Sequence, residues 1–402
     1  MIARTNRRTL TLLLGMAGLH LPVSTWAQPA ASQPEASRPG ALISAEPVAE
    51  TPPGMQAWRI TYWTTLDTGT PVRATGMVVA PREALPPRET LPPRETLPPR
   101  GRRVIAWQHG AWGVASKCAP SLSSKFFAAT PALADMVRRG YVVAAADYPG
   151  LGSEGIHGFL AGRETAHSVL DAVRAARAIP GTAAGTRIAL WGESQGGHAT
   201  LWTSAEARRY APELTLVGTA AAAPPTDLLV NLAYKGDPSV KAMFTAFVTY
   251  SWSRRYGAPL ASVFGPVNRG VVTRLAQNNC VQLDSKPKVG TILGILSVRG
   301  GLQGKDLGTI QPWARLARTN SVEARGVPGP VLIAQSVADP LVSPDATRDF
   351  ARRLCRQGRA VRYIAIPGGD HAASARDSAP ETLDWIDARF SGGTAPDDCR
   401  KI

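Results

Sequence analysis

Short apolar runs recur along the chain, at Val104–Trp107, Tyr141–Asp147, Ile188–Trp191, Leu214–Ala221, Val331–Gln335 and Val361–Ile366. Each is bounded by polar or turn-forming residues and is short enough for a strand buried on both faces. Between them the apolar period changes. Ala166, Val169, Leu170, Val173 and Ala176 fall on one helical face between Arg163 and Ala178, and helices also fit Ala132–Arg139, Gln195–Arg209, Asp345–Gln357 and Pro380–Phe390. Strands alternating with helices predict an α/β architecture with a doubly wound, mostly parallel sheet. Upstream, "AWRITYWTTLDTGTPVRATGMVVAP" predicts two strands around a turn at Asp67–Gly69.

Two interruptions divide this rhythm. From Pro81 to Arg100 a proline-rich hexapeptide repeats, PREALP-PRETLP-PRETLP. It cannot form sheet or helix interior and predicts an expanded, polyproline-like surface loop. From Pro225 to Val327 roughly a hundred residues separate two successive strands, too many for a loop. Their apolar segments predict an inserted helical cap. The expected organisation is therefore a first core part over 54–224, a cap over 225–327 and a second core part over 328–402. Within the cap, Leu229, Leu232, Met243, Phe244, Phe247 and Trp252 are candidates for an apolar pocket.

The N-terminus is unlike the rest. Arg4, Arg7 and Arg8 precede an apolar stretch from Leu10 to about Val23, with a small residue at Ala27. This predicts a signal peptide over 1–27 and an exported protein, periplasmic or extracellular. The apolar stretch is too short and too broken to span a bilayer well, and no other stretch reads as transmembrane. Residues 28–53, rich in Pro, Ala, Ser and Glu, predict a flexible arm.

Composition adds limits. The chain has 402 residues, 44% hydrophobic and 19% charged, enough to bury a large core. Its net charge of +15 raises the question of nucleic acid, but the arginines are scattered among acids and aromatics are only 6%. No basic stripe or nucleic-acid motif is present, so nucleic acid is not an expected partner. A basic surface favours anionic interfaces instead. Four cysteines, Cys118, Cys280, Cys355 and Cys399, predict two disulfides in an exported chain, with three possible connectivities. None has zinc-ligand spacing, and no feature demands a metal or an organic cofactor.

The chemistry centres on "RIALWGESQGGHATLWTS", residues 187–204. A serine hydroxyl is a weak nucleophile that needs a base and must stand clear of its backbone. Gly192-Glu193-Ser194-Gln195-Gly196 supplies a sharp turn between a strand and a helix, which leaves Ser194 exposed above the sheet. That fold orders its partners serine, acid, histidine. "PVLIAQSVADPLV" puts Asp339 after the next strand, and "VRYIAIPGGDHAAS" puts His371 after the last one. Asp227, after the strand at Leu214–Ala221, is a second candidate for the acid. Asp370 reads as a loop residue and His198 as packing under the turn. His109 reads as structural, and His157 and His167 have no catalytic partner in sequence. An oxyanion needs backbone donors. Gln195 is expected to supply one, and Ala111, in "AWQHGAWG", the other, with its neighbours Trp112 and Gly113 as the alternatives.

Longer blocks carry a family resemblance. "HGAWGVASKCAPS", "DYPGLGSEGIHGFLAGRETAHSVLDAVRAAR", "WGESQGGHATLWTSAEARRYAPELTLVGTAAAAPPTDL", "ADPLV" and "GGDHA" resemble the secretory lipase family of α/β-hydrolases, from about residue 55 to the C-terminus. The resemblance implies an exported lipase or esterase, a serine carboxylic-ester hydrolase acting on acylglycerols through an acyl-enzyme on Ser194, Asp339 and His371, with transient contact at a lipid interface. It also implies the pairings Cys118–Cys280 and Cys355–Cys399. The hexapeptide repeat is not part of the family pattern, and the oxyanion loop differs from that of fungal members. An acyltransferase or a serine peptidase would use the same site, and a non-catalytic binding protein could keep the fold.

Overall fold

The computed structural model describes residues 1, 37–82, 101–281, 287–368 and 370–402. Contacts divide the chain into Met1–Pro34 and Glu35–Ile402, and the architecture lies in the second unit. Apart from Met1, the signal peptide expected over 1–27 lies outside the described residues, as does most of the repeat.

One sheet runs through the protein. Its strands are β1 (Leu42–Pro47), β2 (Met55–Thr65), β3 (Pro71–Pro81), β4 (Arg102–Gln108), β5 (Val142–Ala146), β6 (Ala184–Glu193), β7 (Thr215–Ala222), β8 (Val331–Ser336) and β9 (Val361–Ile366), in the order β1-β2-β3-β5-β4-β6-β7-β8-β9. The β1–β2, β2–β3 and β3–β5 pairs are antiparallel and every later pair is parallel. All five residues of β5 and all six of β8 are buried, as strands covered on both faces must be.

The helices are α1 (Phe126–Ala129), α2 (Leu133–Arg138), α3 (Gly162–Arg177), α4 (Gln195–Tyr210), α5 (Leu228–Ala233), α6 (Pro238–Tyr256), α7 (Pro266–Asn278), α8 (Val289–Gly301), α9 (Trp313–Asn320), α10 (Pro344–Arg356), α11 (Ala373–Arg376) and α12 (Ala379–Phe390). Val169, Leu170, Val173 and Ala176 of α3 pack with Val104, Val142 and Ile188 on one face of the sheet. Leu383, Ile386 and Phe390 of α12 join Trp107, Val143 and Trp191 on the other. This is the expected α/β-hydrolase arrangement, an α/β sandwich with a mixed, mostly parallel sheet.

One expectation is corrected. The flexible arm over 28–53 contains β1, whose residues pair with β2 from Leu42↔Tyr62 to Pro47↔Trp58. "LISAEP" is an edge strand that is partly or fully exposed along its length, so its hydrogen bonds, not an apolar run, hold it.

Helices α5–α9 fill the long interval after β7 and carry a core of their own, built on Phe247, Trp252, Phe264, Val272 and Trp313. Asp237 caps α6 through Ser239 and Val240 N–H, with Pro238 in the first turn and Gly257 closing the helix in the left-handed region at φ 70°. Cys118–Cys280 ties the segment after β4 to the end of α7, and Cys355–Cys399 ties α10 to the C-terminal tail. Both pairings are those the family resemblance implies. Among the described residues no helix is long and apolar enough to cross a membrane.

Candidate active site

Strand β6 ends at Glu193, α4 begins at Gln195, and Ser194 makes the whole turn between them. Its φ of 54° and ψ of −120° are strained for a residue with a side chain. Neighbouring backbone holds it: Ser194 N–H donates to Ala222 O at 2.8 Å and Ser194 O accepts from His198 N–H at 3.0 Å. The flanking glycines are there for space. A Cβ on Gly196 would lie 1.8 Å from Gln108 O, and one on Gly192 would lie 2.5 Å from Gly196 O. The turn is possible only where strand and helix approach this closely.

Asp339 follows β8 and His371 follows β9, and the two loops bring them together. His371 Nδ1 lies 2.8 Å from Asp339 Oδ2. The same carboxylate accepts from Gln335 Nε2 at 2.9 Å and from the N–H groups of Leu341 and Val342 at 2.8 and 3.0 Å. Burial pushes this acid up, but the His371 hydrogen bond and charge and the two backbone donors outweigh it, and its pKa is lowered. A carboxylate so held accepts a hydrogen bond from Nδ1–H and fixes the orientation of the imidazole. Helix α11, two residues beyond His371, packs against β6, the strand that carries Ser194.

The other candidates fall elsewhere. Asp227 caps α5, accepting from Leu229 and Val230 N–H, and does not meet His371. Asp370 accepts from Ala373 N–H. His198 lies beneath the turn with Nε2 2.7 Å from Asn320 O, and burial lowers its pKa to about 4. His109 bonds through Nδ1 to Gly110 O and stacks on Tyr148. His167 bonds Thr65 Oγ1 and stacks on Tyr210.

His157 is the functional neighbour that sequence reasoning missed. The Gln195 carboxamide donates through Nε2 to His157 Nε2 at 2.9 Å. His157 then carries its proton on Nδ1, toward Pro149 O at 3.3 Å. Burial, with a contribution from His109, lowers its pKa to about 3 and keeps it neutral. Ser251 Oγ of α6 donates to His157 O at 2.6 Å and accepts from Phe159 N–H at 2.8 Å, while Trp252 Nε1 donates to Phe159 O at 2.8 Å. The segment that holds Gln195 is thus the segment on which α6 is seated. Only the pairing of residues 38 apart reveals this, and no local motif signals it.

A mostly apolar cavity opens at Ser194. Ala111, Ser194 and Gln195 line one end, and Phe159, Leu228, Leu232, Phe244, Val248, Trp252 and Leu341 line its walls. Val240, Lys241 and Thr245 of α6 also reach it. Three of the six pocket candidates, Leu232, Phe244 and Trp252, are among these. Leu229, Met243 and Phe247 do not line it, although all six candidates belong to or pack against the helical core. Ala111 and Gln195, the two residues expected to donate to an oxyanion, both line this cavity with Ser194. Gln195 is the first residue of α4, whose leading N–H groups have no acceptor within the helix. Trp112 O accepts from Val281 N–H at 2.9 Å, so the loop bearing Ala111 is stitched to the helical insertion beside Cys280.

Glu193, between Gly192 and Ser194, is largely enclosed and lines a small second cavity with His109, Trp112 and Asp147. Burial raises its pKa to about 7, against the lowering effect of His371.

Comparison with known proteins follows the same lines. The family described as secretory lipase matches residues 122–398. The chain is 26% identical over 283 residues to Lipase 10 of Candida albicans, an alignment covering 66% of this chain and 59% of that protein. It is 26% identical over 364 residues to a Mycobacterium tuberculosis protein named probable inactive lipase MT1628, covering 85% and 75%. Against Lipase 10, the chain spans less than two thirds of the relative's length. The crystal structure of Candida antarctica lipase A in its closed state superposes with a TM-score of 0.72 at 19% identity, covering 92% of this chain and 86% of that one.

Proposed function

The chain belongs to the secretory lipase family, and on that footing we propose that it is an exported serine ester hydrolase that cleaves carboxylic esters, acylglycerols among them, through an acyl-enzyme on Ser194. The observation that carries this reading is the 2.8 Å hydrogen bond between His371 and Asp339, on two loops at the end of the sheet where Ser194 stands.

In this mechanism Nε2 of His371 takes the Ser194 proton as Oγ attacks the ester carbonyl. Asp339 fixes the tautomer and stabilises the imidazolium that forms. The tetrahedral oxyanion is held by backbone N–H groups of Gln195 and Ala111. His371 returns the proton to the leaving alkoxide, and the acyl group stays on Ser194. A water then enters, gives its proton to His371 and attacks the acyl-enzyme, and collapse releases the acid and restores Ser194. Helices α5–α9 serve as the cap, and the cavity beside Ser194 takes the acyl chain between α6 and the Phe159 segment. Export fits the two disulfides and the basic-then-apolar N-terminus.

One relative is named as probably inactive, which makes a non-catalytic binding protein the reading to exclude. The test is hydrolysis of a p-nitrophenyl ester series from acetate to palmitate, beside Ser194→Ala, with fluorophosphonate labelling of both. Turnover and labelling lost together in the variant support the proposal. No turnover and no labelling in the folded, oxidised protein sink it. Labelling with turnover only toward alcohol or amine acceptors makes the enzyme a transferase instead.

A further inference from the structure

Helix α8, Val289–Gly301, has two apolar faces and only one of them is covered. The covered face meets α7. Thr291 and Val298 are buried there, and a Cβ on Gly294 would lie 2.9 Å from Leu275. Ser297 Oγ donates to Asn268 Oδ1, and Thr291 Oγ1 to Asn279 Oδ1, each at 2.6 Å. On the other face stand Val289, Ile292, Leu293 and Leu296, exposed by 72%, 44%, 62% and 50%. Their spacing, i, i+3, i+4, i+7, makes one continuous stripe. Val267 of α7, 78% exposed, precedes Asn268, the residue that bonds Ser297 of α8. Of the ten exposed large hydrophobic residues among the described residues, five lie on this corner. Scattered singly they would mean nothing, but contiguous they mark a partner surface.

The charge around the stripe says which partner. Residues 225–327 contain 13 Lys and Arg against 5 Asp and Glu, a net +8 out of +15 for the whole chain. Lys288 and Arg299, at the two ends of α8, and Arg269 and Arg274 of α7 are all exposed. None of them makes an ion pair among the described residues. An apolar stripe with a cation at each end of its helix and two more on the adjoining α7 fits a surface with negative headgroups over hydrocarbon. None of the stripe residues lines the cavity at Ser194.

We propose that the α7–α8 corner docks onto anionic lipid bilayers, with Val289, Ile292, Leu293 and Leu296 buried at the headgroup boundary and Lys288, Arg269, Arg274 and Arg299 against the anionic headgroups. This binding is independent of the hydrolytic reading and needs no turnover.

The test is co-sedimentation of the purified protein with vesicles of phosphatidylcholine, with and without phosphatidylglycerol, at low and high salt. The protein sediments with the anionic vesicles and is released by salt. Leu293→Asp with Leu296→Asp lowers partitioning roughly tenfold or more. Lys288→Glu with Arg299→Glu lowers it roughly fivefold per cation, on anionic vesicles alone. The substituted side chains are exposed, and unchanged thermal melts confirm that the variants fold. Equal binding to both vesicle types, no binding to either, or variants that bind like the parent overturns the proposal. Loss of self-association in the aspartate variant, with vesicle binding intact, overturns it too and makes the corner a contact between copies. Failure of ester hydrolysis bears only on the proposed function.

Discussion

The side chain of Gln195 donates to Nε2 of His157 at 2.9 Å, and the carbonyl of His157 accepts from Ser251 of α6 at 2.6 Å. The residue proposed to hold the oxyanion is thus positioned by a neutral histidine that also seats the helical insertion. His157→Phe keeps a ring in place but removes the acceptor. It is expected to lower kcat roughly 10- to 100-fold, the scale of a misplaced group, with little change in KM. His157→Gln, which can still accept, recovers part of the loss. Steady-state kinetics on one soluble ester checks this, and equal losses in both variants would point to a packing role only.

Removing the nucleophile and removing the orienting acid differ in scale. Ser194→Ala is expected to cost about 10⁶ in kcat, and Asp339→Asn about 10⁴ through the wrong imidazole tautomer. Both variants should keep the parent's circular dichroism spectrum, and single-turnover kinetics separates the two losses.

Glu193 makes stability depend on pH. Its carboxyl is raised by burial to about 7 from an ordinary 4.5. Between those values the folded chain holds a proton that the unfolded chain has lost, so the stabilisation present below 4.5 fades as pH rises through about 7. Glu193→Gln removes that titration. The variant should gain stability over the parent above pH 7 and gain none through this route below pH 4.5. Urea midpoints at both ends of the window check the sign, and a constant difference across it would refute the assignment.

Cys118–Cys280 closes a loop of 162 residues and lies beside the Val281–Trp112 hydrogen bond. Replacing both cysteines with alanine is expected to destabilise the fold by about 2–4 kcal/mol. It should also lower ester turnover, because the loop carrying Ala111 loses its anchor. The Cys355 and Cys399 pair, replaced the same way, should lower the unfolding midpoint and leave turnover near the parent's. Melting curves and acetate hydrolysis on the two double variants test the contrast.

Val240 reaches the cavity from the first turn of α6 and is not fully buried. Val240→Trp fills the space beyond the first carbons of an acyl chain. Each excluded methylene is worth about 1 kcal/mol or more. The ratio of kcat/KM for palmitate over acetate should therefore fall at least about tenfold, and an unchanged ratio would place the acyl chain elsewhere.

The six parallel strands are legible in the sequence because buried parallel strands demand unbroken apolar runs, β2 and β3 are legible from the turn between them, and the proposed Ser194, Asp339 and His371 site falls just past strand ends that the sequence marks. Strand β1 is not, since an edge strand with exposed side chains leaves no such run. The pocket is half legible. Helix α6 is apolar on more than one face, so Phe244 reaches the cavity while Phe247, three residues on, lies wholly in the helical core against which Phe244 also packs. The His157–Gln195 pair depends on how the segment before α3 folds back, which no periodicity records.

On either side of the hexapeptide repeat, β3 ends at Pro81 and Arg102 pairs with Ala184 at the start of β6. That is the entry end of the parallel strands, and Ser194 follows the exit end of β6, about 30 Å away along the strand. Adding or deleting copies changes loop closure by only about 0.6 kcal/mol per doubling of length. A change in the number of hexapeptide copies would therefore lengthen or shorten the chain in six-residue steps whose two ends meet the sheet far from Ser194.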